Sequence, residues 1–306
     1  MTELALRIVG SGAIGSLLGA GAEQAAIPYS LMPRKNTSRT LEVIKQNRET
    51  VRLKHNAPEP QTLTEKDILV LPLKAYQLAD AARAWQHRLL PSTPVLLLHN
   101  GMGGYEAVRQ YLPQNPLFLA TTSHAALRVS SNCVQHTGSG RTDIGPAPDT
   151  TRSEDLAHQI VRVFSACFAP INWREDMLSA LWIKLTVNAV INPLTAIHNI
   201  PNGELAKPEY TSCIASVITE IFRVMRSEGY DISKDALRER VYEVIHASAA
   251  NYSSMHQDIA HQRATEIDAI NGYVIRTAKK KGIDVSTNSF LYEKVCALQA
   301  SKGVLT

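Results

Sequence analysis

The sequence predicts an α/β domain built on a doubly wound sheet, followed by an all-α domain. Three observations lead there. An apolar run of strand length, Leu4 to Val9, enters the pattern Gly10-Ser11-Gly12-Ala13-Ile14-Gly15 and then a helix-compatible stretch, Ser16 to Ala20. Short, near-continuous apolar runs recur through the first half, as a parallel sheet covered on both faces requires. From Asp176 onward they give way to long amphipathic periods. At about 100–200 residues per domain, 306 residues leave room for two cores. The change of pattern divides the chain into 1–172 and 173–306.

The first element explains the glycines. In a strand–turn–helix of this kind Gly10 permits the tight turn, Gly12 lets backbone approach a pyrophosphate, and Gly15 lets the helix pack closely on the strand. Ser11, Ala13 and Ile14 complete the turn, and amides at the helix start face the phosphates. A plain glycine-rich turn is the alternative, but the strand-to-helix context favours a Rossmann-type dinucleotide site. A second strand is expected near Pro28 to Met32. An NAD-specific site would place Asp or Glu at its end for the ribose 2′-hydroxyl, and the chain has Arg34 and Lys35 instead. These could hold a 2′-phosphate, which points to NADP; merely solvated basic residues are the other reading.

Further strands are expected at Ile68–Leu71, Val95–Leu98 and Leu117–Ala120, with Ala79 to Leu90 helix-compatible between the first two. Ligands lie beyond the carboxyl ends of such strands. Two polar clusters fall there: Leu73-Lys74-Ala75, and His99-Asn100-Gly101-Met102-Gly103-Gly104. Lys74 would contribute charge, and Asn100 hydrogen bonds near the nicotinamide ribose. A helix over Ser153 to Phe168 and a last strand near Ile171–Trp173 complete the domain.

In the second half, Ile214, Val217, Ile218, Ile221, Phe222 and Met225 mark one helix, and Ser233 is an N-cap for another over Ala236 to Ala249. A third runs through Ile267, Ile270 and Val274 to Lys279-Lys280-Lys281, with Gly282 suited to follow a helix end. Lys184, Asn188 and Asn192 are spaced i, i+4, i+8, each about 40° round a helix from the last, so one face carries all three. Their apolar surround could desolvate the lysine and lower its pKa toward proton transfer. Equally, Lys184 could snorkel to the surface while the asparagines hold a helix contact. Pro193 is expected to kink or end this helix just beyond Asn192. Ser254 with Gln257 forms an S-x-x-Q capping box, and the same serine could help bind an anionic substrate. Glu266, about three turns further on, is either a solvated helical glutamate or an active acid.

Composition narrows the function classes. Lys and Arg number 32 against 28 acids, a net +4 with no basic block longer than Lys279–Lys281, which disfavours nucleic acid as a partner. The four cysteines form no C-x-x-C pair or disulfide framework, as in a reducing compartment. No apolar run approaches the roughly 18 residues needed to cross a bilayer, and Leu4 to Val9 runs into glycines without a signal-peptide pattern. The expectation is a cytoplasmic protein without a membrane partner. His256 and His261 lack the spacing of a metal motif, so no metal is expected.

These motifs together carry a specific likeness. Val9 to Gly15, Leu73-Lys74-Ala75, His99 to Gly103, Leu181-Trp182-Ile183-Lys184-Leu185 through Asn188 and Val190 to Ala196, Asn202-Gly203-Glu204-Leu205, and Ser253-Ser254-Met255 through Thr265-Glu266-Ile267-Asp268 follow one another in family order. The chain resembles the ketopantoate reductase (2-dehydropantoate 2-reductase) family, NADPH-dependent enzymes on the route to pantothenate and coenzyme A. The resemblance implies a hydride transferred from NADPH to C2 of a small 2-oxo acid, with Lys184 as general acid. Asn188 and Asn192 would hold the substrate, Ser254 would bind its carboxylate, and Glu266 would be a catalytic acid that orients its hydroxyl and supports turnover. Asn100 and Lys74 would lie on the cofactor side, with Asn100 also reaching substrate, and Arg34 would meet the 2′-phosphate. Lys35 and His124 receive no role, and the likeness weakens over 35–66 and 149–176. A monomer or homodimer is expected. The rival readings are a related reductase of another 2-oxo acid and a non-catalytic NADPH-sensing protein.

Overall fold

The computed structural model describes residues 4–32, 41–54 and 60–303. The chain divides into two units, one made of residues up to His99 together with Gly104–Met177, the other of Asn100–Gly103 together with Leu178 onward.

The first unit runs β1 (Ala5–Val9), α1 (Ala13–Gln24), β2 (Tyr29–Met32), β3 (Leu41–Ile44), β4 (Thr50–Leu53), β5 (Asp67–Leu71), α2 (Leu78–Trp85), β6 (Val95–Leu98), α3 (Gly104–Arg109), β7 (Leu117–Thr122), β8 (Ala125–Ser130), β9 (Cys133–Gly138), β10 (Thr142–Pro146), α4 (Glu154–Phe168) and β11 (Ile171–Trp173). Seven strands form one sheet in the order β11-β10-β7-β6-β5-β1-β2. The expected apolar runs are its centre: every residue of β1, β5 and β6 is buried. They pair in parallel, Leu6 beside Tyr29 on one side and beside Ile68 on the other. The doubly wound α/β expectation therefore holds.

The sheet is not parallel throughout. β10 returns antiparallel to β7, with Ile144 opposite Ala120. A second sheet of four strands, β4-β3-β9-β8, was not anticipated. Its outer strand β8 leaves Leu127 and Val129 exposed, so it lacks the continuous apolar run that marks a central strand. The two sheets share one core with α1 and α4, in which Ile8, Tyr29, Val43, Leu53, Ile68, Phe118 and Phe164 are buried.

Two close contacts hold this unit. Arg7 in β1 and Asp67 in β5 are both buried and pair at 2.7 Å. Arg7 also donates to Ser30 Oγ at 3.1 Å, and the second Asp67 oxygen accepts from the Thr64 amide at 3.1 Å. Charges are tolerated inside the sheet because each has a partner. At Gly21 in α1, an added Cβ would lie 1.7 Å from the Cys167 carbonyl oxygen in α4, so only glycine lets these helices approach.

The expected boundary at residue 172 falls inside β11, which pairs with β10 through Asn172 beside Asp143. The strand's ladder belongs to the first unit, which extends to Met177. The second unit is helical as expected: α5 (Met177–His198), α6 (Pro208–Ser227), α7 (Lys234–Ala247), α8 (Ser254–Ala260), α9 (Asn271–Lys281) and α10 (Ser286–Ser301). Ser233 caps α7 by accepting the Ala236 amide at 3.1 Å, and Gly282 ends α9 in the left-handed conformation at φ +64°.

Three expectations are corrected here. α5 does not end at Pro193 but continues to His198. The Ala189 carbonyl, whose helical donor Pro193 lacks, accepts from the Asn271 side chain at 3.1 Å. α9 begins at Asn271, after Ile267 and Ile270, because the Ala269 and Ile270 amides bond back to the Glu266 carbonyl in a turn. Finally, α5 is long and apolar enough to cross a bilayer by length and composition, at mean hydropathy 1.3. Its polar residues interrupt any continuous run but leave the average high, and 72% of the window is buried inside the protein, where an apolar helix serves the core.

Replacing Gly21 by Val should lower unfolding stability by at least about 2 kcal/mol, since the new side chain meets backbone that has no rotamer to yield. Urea unfolding followed by circular dichroism measures it; an unchanged midpoint would contradict the contact.

Candidate active site

The cofactor side begins at the carboxyl end of β1. Gly10 has φ +86°, a conformation natural to glycine. A Cβ at Gly15 would meet Pro72 Cγ at 3.0 Å and Ile8 Cγ2 at 3.3 Å, so this glycine packs the helix onto the strands. Gly12 differs: a Cβ there meets only the Pro72 carbonyl oxygen at 3.9 Å, ordinary contact distance, and the residue is exposed. Gly12 is the N-cap of α1 and supplies no side-chain cap. The Ser16 amide bonds to the Gly12 carbonyl at 2.9 Å, so the amides of Ala13, Ile14 and Gly15 precede the first intrahelical bond. Three such amides at a positive helix end suit the phosphates of a dinucleotide.

Lys74 lies three residues past β5, and β5 is the neighbour of β1 in the sheet. The two loops meet, since a Cβ at Gly10 would lie 3.3 Å from Leu73 Cδ2. Lys74 is half-buried, and its amide donates to Gln77 Oε1 at 3.4 Å. Arg34, with Lys35, lies outside the described residues.

Asn100 was expected to serve both cofactor and substrate; residues Asn100–Gly103 belong to the helical unit. Asn100 Nδ2 donates to Glu266 Oε2 at 3.1 Å, and the Met102 amide donates to the Ala269 carbonyl at 2.9 Å. Gly101, at φ +82°, has no room for a side chain: a Cβ would lie 2.5 Å from the Ala269 oxygen. Glu266 is not on a helix. It sits in the bend before α9 and is 5% exposed. The neighbouring Thr265 amide is held by Gln299 Oε1 at 2.7 Å, which fixes the bend from α10.

Because α5 is unbroken, Lys184, Asn188 and Asn192 keep one face of it. Lys184 and Asn188 are half-buried and Asn192 is buried. The flanks are apolar: Leu181, Trp182, Leu185, Val190 and Ile191 are buried, and the Trp182 ring meets Tyr273 edge-on at 5.8 Å.

The expected cap of α8 is displaced by one residue. Ser253 is the N-cap, its Oγ accepting the His256 amide at 3.1 Å, whereas Ser254 is the first helical residue and exposed. The choice between adjacent serines follows from α5: the Ser253 and Thr195 hydroxyls are hydrogen-bonded at 2.7 Å, and both residues are buried. The segment leading to Ser253 is aligned by the Asn202 turn, where the Asn202 amide donates to the Asn251 carbonyl at 2.8 Å and the Gly203 amide to the Ala249 carbonyl at 3.0 Å. Nearby, His256 Nε2 lies 2.7 Å from Asn199 Oδ1 and its ring stacks on Tyr252. Burial, and then the charge of His261, lower the His256 pKa.

Residues 6–149 match the model of the family described as ketopantoate reductase PanE/ApbA, and residues 176–299 match the model of its C-terminal part. The chain belongs to the ketopantoate reductase family. It is 39% identical to a 2-dehydropantoate 2-reductase of Vibrio cholerae, over 96% of this chain and 97% of that one. It is 41% identical to the corresponding protein of Escherichia coli O157:H7, over 78% and 76%. Among solved structures it is similar to a PanE/ApbA family ketopantoate reductase from Ralstonia eutropha, with TM-score 0.86 and 25% identity over 98% of this chain and 100% of that one. A D-mandelate dehydrogenase solved with NADH and anilino(oxo)acetate has the same fold, with TM-score 0.89 and 23% identity over 98% and 100%. The ketopantoate reductase family is one of NAD(P)-dependent oxidoreductases. Among the described residues, no group of three or more His, Cys, Asp or Glu could hold a metal ion.

The one-residue displacement of the cap gives a paired test. Ser253→Ala should cost about 1–2 kcal/mol through loss of the cap and of the Thr195 bond, whereas Ser254→Ala should stay within about 0.5 kcal/mol. Thermal unfolding of the two variants compares them; equal shifts would contradict the assignment.

Proposed function

We propose that this chain reduces 2-dehydropantoate to pantoate with NADPH, Lys184 being the proton donor. The observation that carries the reading is Glu266, a buried carboxylate aligned by the Asn100 amide at 3.1 Å in the same unit as the Lys184, Asn188 and Asn192 face. An ionised carboxylate accepts at several lone pairs, so Glu266 can hold a substrate hydroxyl in addition to Asn100. A solvated structural glutamate would have no need of this burial.

NADPH, when bound on the glycine turn, supplies a hydride for C2 of the oxo acid. The Lys184 ammonium gives its proton to the C2 oxygen as negative charge develops there. Its flanks, Leu181 and Leu185, are buried and apolar, so the cation acts through a medium less screening than water. Asn188 and Asn192 hydrogen-bond the substrate and fix its carbonyl relative to Lys184. The exposed Ser254 hydroxyl binds the carboxylate. Arg34 pairs with the 2′-phosphate, and Lys74 adds positive charge on the cofactor side. Identity of 39% across 97% of a named 2-dehydropantoate 2-reductase supports the substrate. The product would feed pantothenate and coenzyme A synthesis in the cytoplasm. A monomer or homodimer suits the reading; a ketopantoate reductase of Staphylococcus aureus is described as dimeric.

Following NADPH oxidation spectrophotometrically with ketopantoate, with NADH in place of NADPH, and with a panel of 2-oxo acids including the oxo form of mandelate tests the reaction. Faster turnover of another acid than of ketopantoate would reassign the substrate, and tight NADPH binding without turnover would favour a sensor. Lys184→Ala should lower kcat by at least about a hundredfold with NADPH binding retained; an active variant removes the lysine from the mechanism. Arg34→Ala should narrow the preference for NADPH over NADH by about tenfold, ~1.4 kcal/mol, read as the ratio of kcat/KM for the two cofactors.

A further inference from the structure

Pro193 lies inside α5, one residue after Asn192 and five after Asn188. Proline has no amide hydrogen, so the carbonyl four residues back loses its helical partner. That carbonyl belongs to Ala189, a residue with 0% exposure. A buried carbonyl without a donor is destabilising, and the turn around it is where a helix opens or bends. The gap therefore falls in the turn that carries the polar face.

The donor comes from another helix. Asn271, the first residue of α9, sends one amide hydrogen to the Ala189 oxygen at 3.1 Å and the other to Asn288 Oδ1 at 3.0 Å. Asn271 and Asn288 are both at 0% exposure. The amide orientation is set further along the chain of bonds. Asn288 Nδ2 donates to Glu220 Oε2 in α6 at 2.8 Å, and Glu220 also accepts the Thr287 and Asn288 amides at the start of α10. A carboxylate only accepts, so Asn288 must turn its NH2 toward Glu220 and its oxygen toward Asn271. Asn271 must then present its NH2 to Asn288 and Ala189. The polarity at Pro193 is thus dictated from Glu220, through four helices.

We infer that Asn271 is a positioning residue for the reaction: its side-chain amide replaces the backbone donor that Pro193 lacks and holds the α5 turn bearing Asn188 and Asn192 in register. Because Asn271 also follows the Glu266 bend by five residues, one side chain ties that bend to the polar helix face. The inference rests on the reading of α5 as the substrate helix.

Pro193→Ala restores an amide at residue 193 that can serve the Ala189 carbonyl, leaving residue 271 only its bond to Asn288 Oδ1, so the two sites form a double-mutant cycle. Asn271→Leu in the natural chain should raise KM for the oxo acid or lower kcat by about tenfold or more, with the Kd for NADPH, measured by fluorescence titration, unchanged. In a Pro193→Ala background the same substitution should cost about threefold or less. Hydrogen exchange of the peptide over 189–198 should quicken by about tenfold in Asn271→Leu and recover in the double variant. Equal losses in both backgrounds, or exchange in this peptide that ignores residue 271, overturn the inference. If Asn271→Leu does not fold, Asn271→Asp, which keeps the shape and loses both hydrogens, is read through the same cycle by its urea midpoint; a shift independent of residue 193 again overturns it. The exchange arm needs no turnover, so a wild-type enzyme inactive on every 2-oxo acid would defeat the proposed reaction while leaving the role of Asn271 decided.

Discussion

The hydrogen bond from Asn100 to Glu266 is the constraint around which the helical unit is arranged. A carboxylate is kept inside a protein only where donors meet it, and here one donor comes from a segment 166 residues earlier in the chain. Two further contacts commit that segment: the Met102 amide on the Ala269 carbonyl, and the Gly101 backbone so close that no side chain fits. Asn100 is consequently fixed relative to Glu266 with the accuracy of a packed backbone rather than that of a surface loop.

The same economy of donors and acceptors runs along α5. An apolar helix can line a core, but Lys184, Asn188 and Asn192 bring polar groups into it and Pro193 removes an amide. Satisfaction comes from outside the helix, through Asn271 at Ala189, and through Thr195, whose hydroxyl joins Ser253 at the start of α8. The Ser-Ser pair divides its duties as a result. Ser253 is buried and structural, and Ser254 faces outward. In the sheet, Arg7, Asp67 and Ser30 follow the same rule of paired burial.

Much of this was legible in the sequence where the signal is local. The central strands are near-continuous apolar runs because both faces are covered, and the glycine turn has a spacing that geometry demands. The α5 face could be read because 3.6-residue periodicity links positions four apart. Other features were invisible for physical reasons. β8 alternates with exposed residues and resembles a loop, and β3 and β4 are only four residues each. Which of two adjacent serines caps α8 depends on a hydroxyl fifty-eight positions away, at Thr195. The burial of Glu266 depends on Asn100 and on the turn before α9, and neither is encoded near it. Asn271 falls at the head of an amphipathic period with nothing local to mark it, although Pro193 four residues beyond Ala189 announces that some donor must exist.

The placement of Asn100–Gly103 also bears on modularity. The helical unit is discontinuous in the gene: its long carboxy-terminal stretch is completed by four residues encoded within the sheet-forming half. A truncation starting near residue 178 would carry Glu266 and the Ala269 carbonyl without their amide partners. Exchange of whole halves between homologues would therefore separate residues that must match, and recombination should succeed only when this short insert travels with the helices it serves.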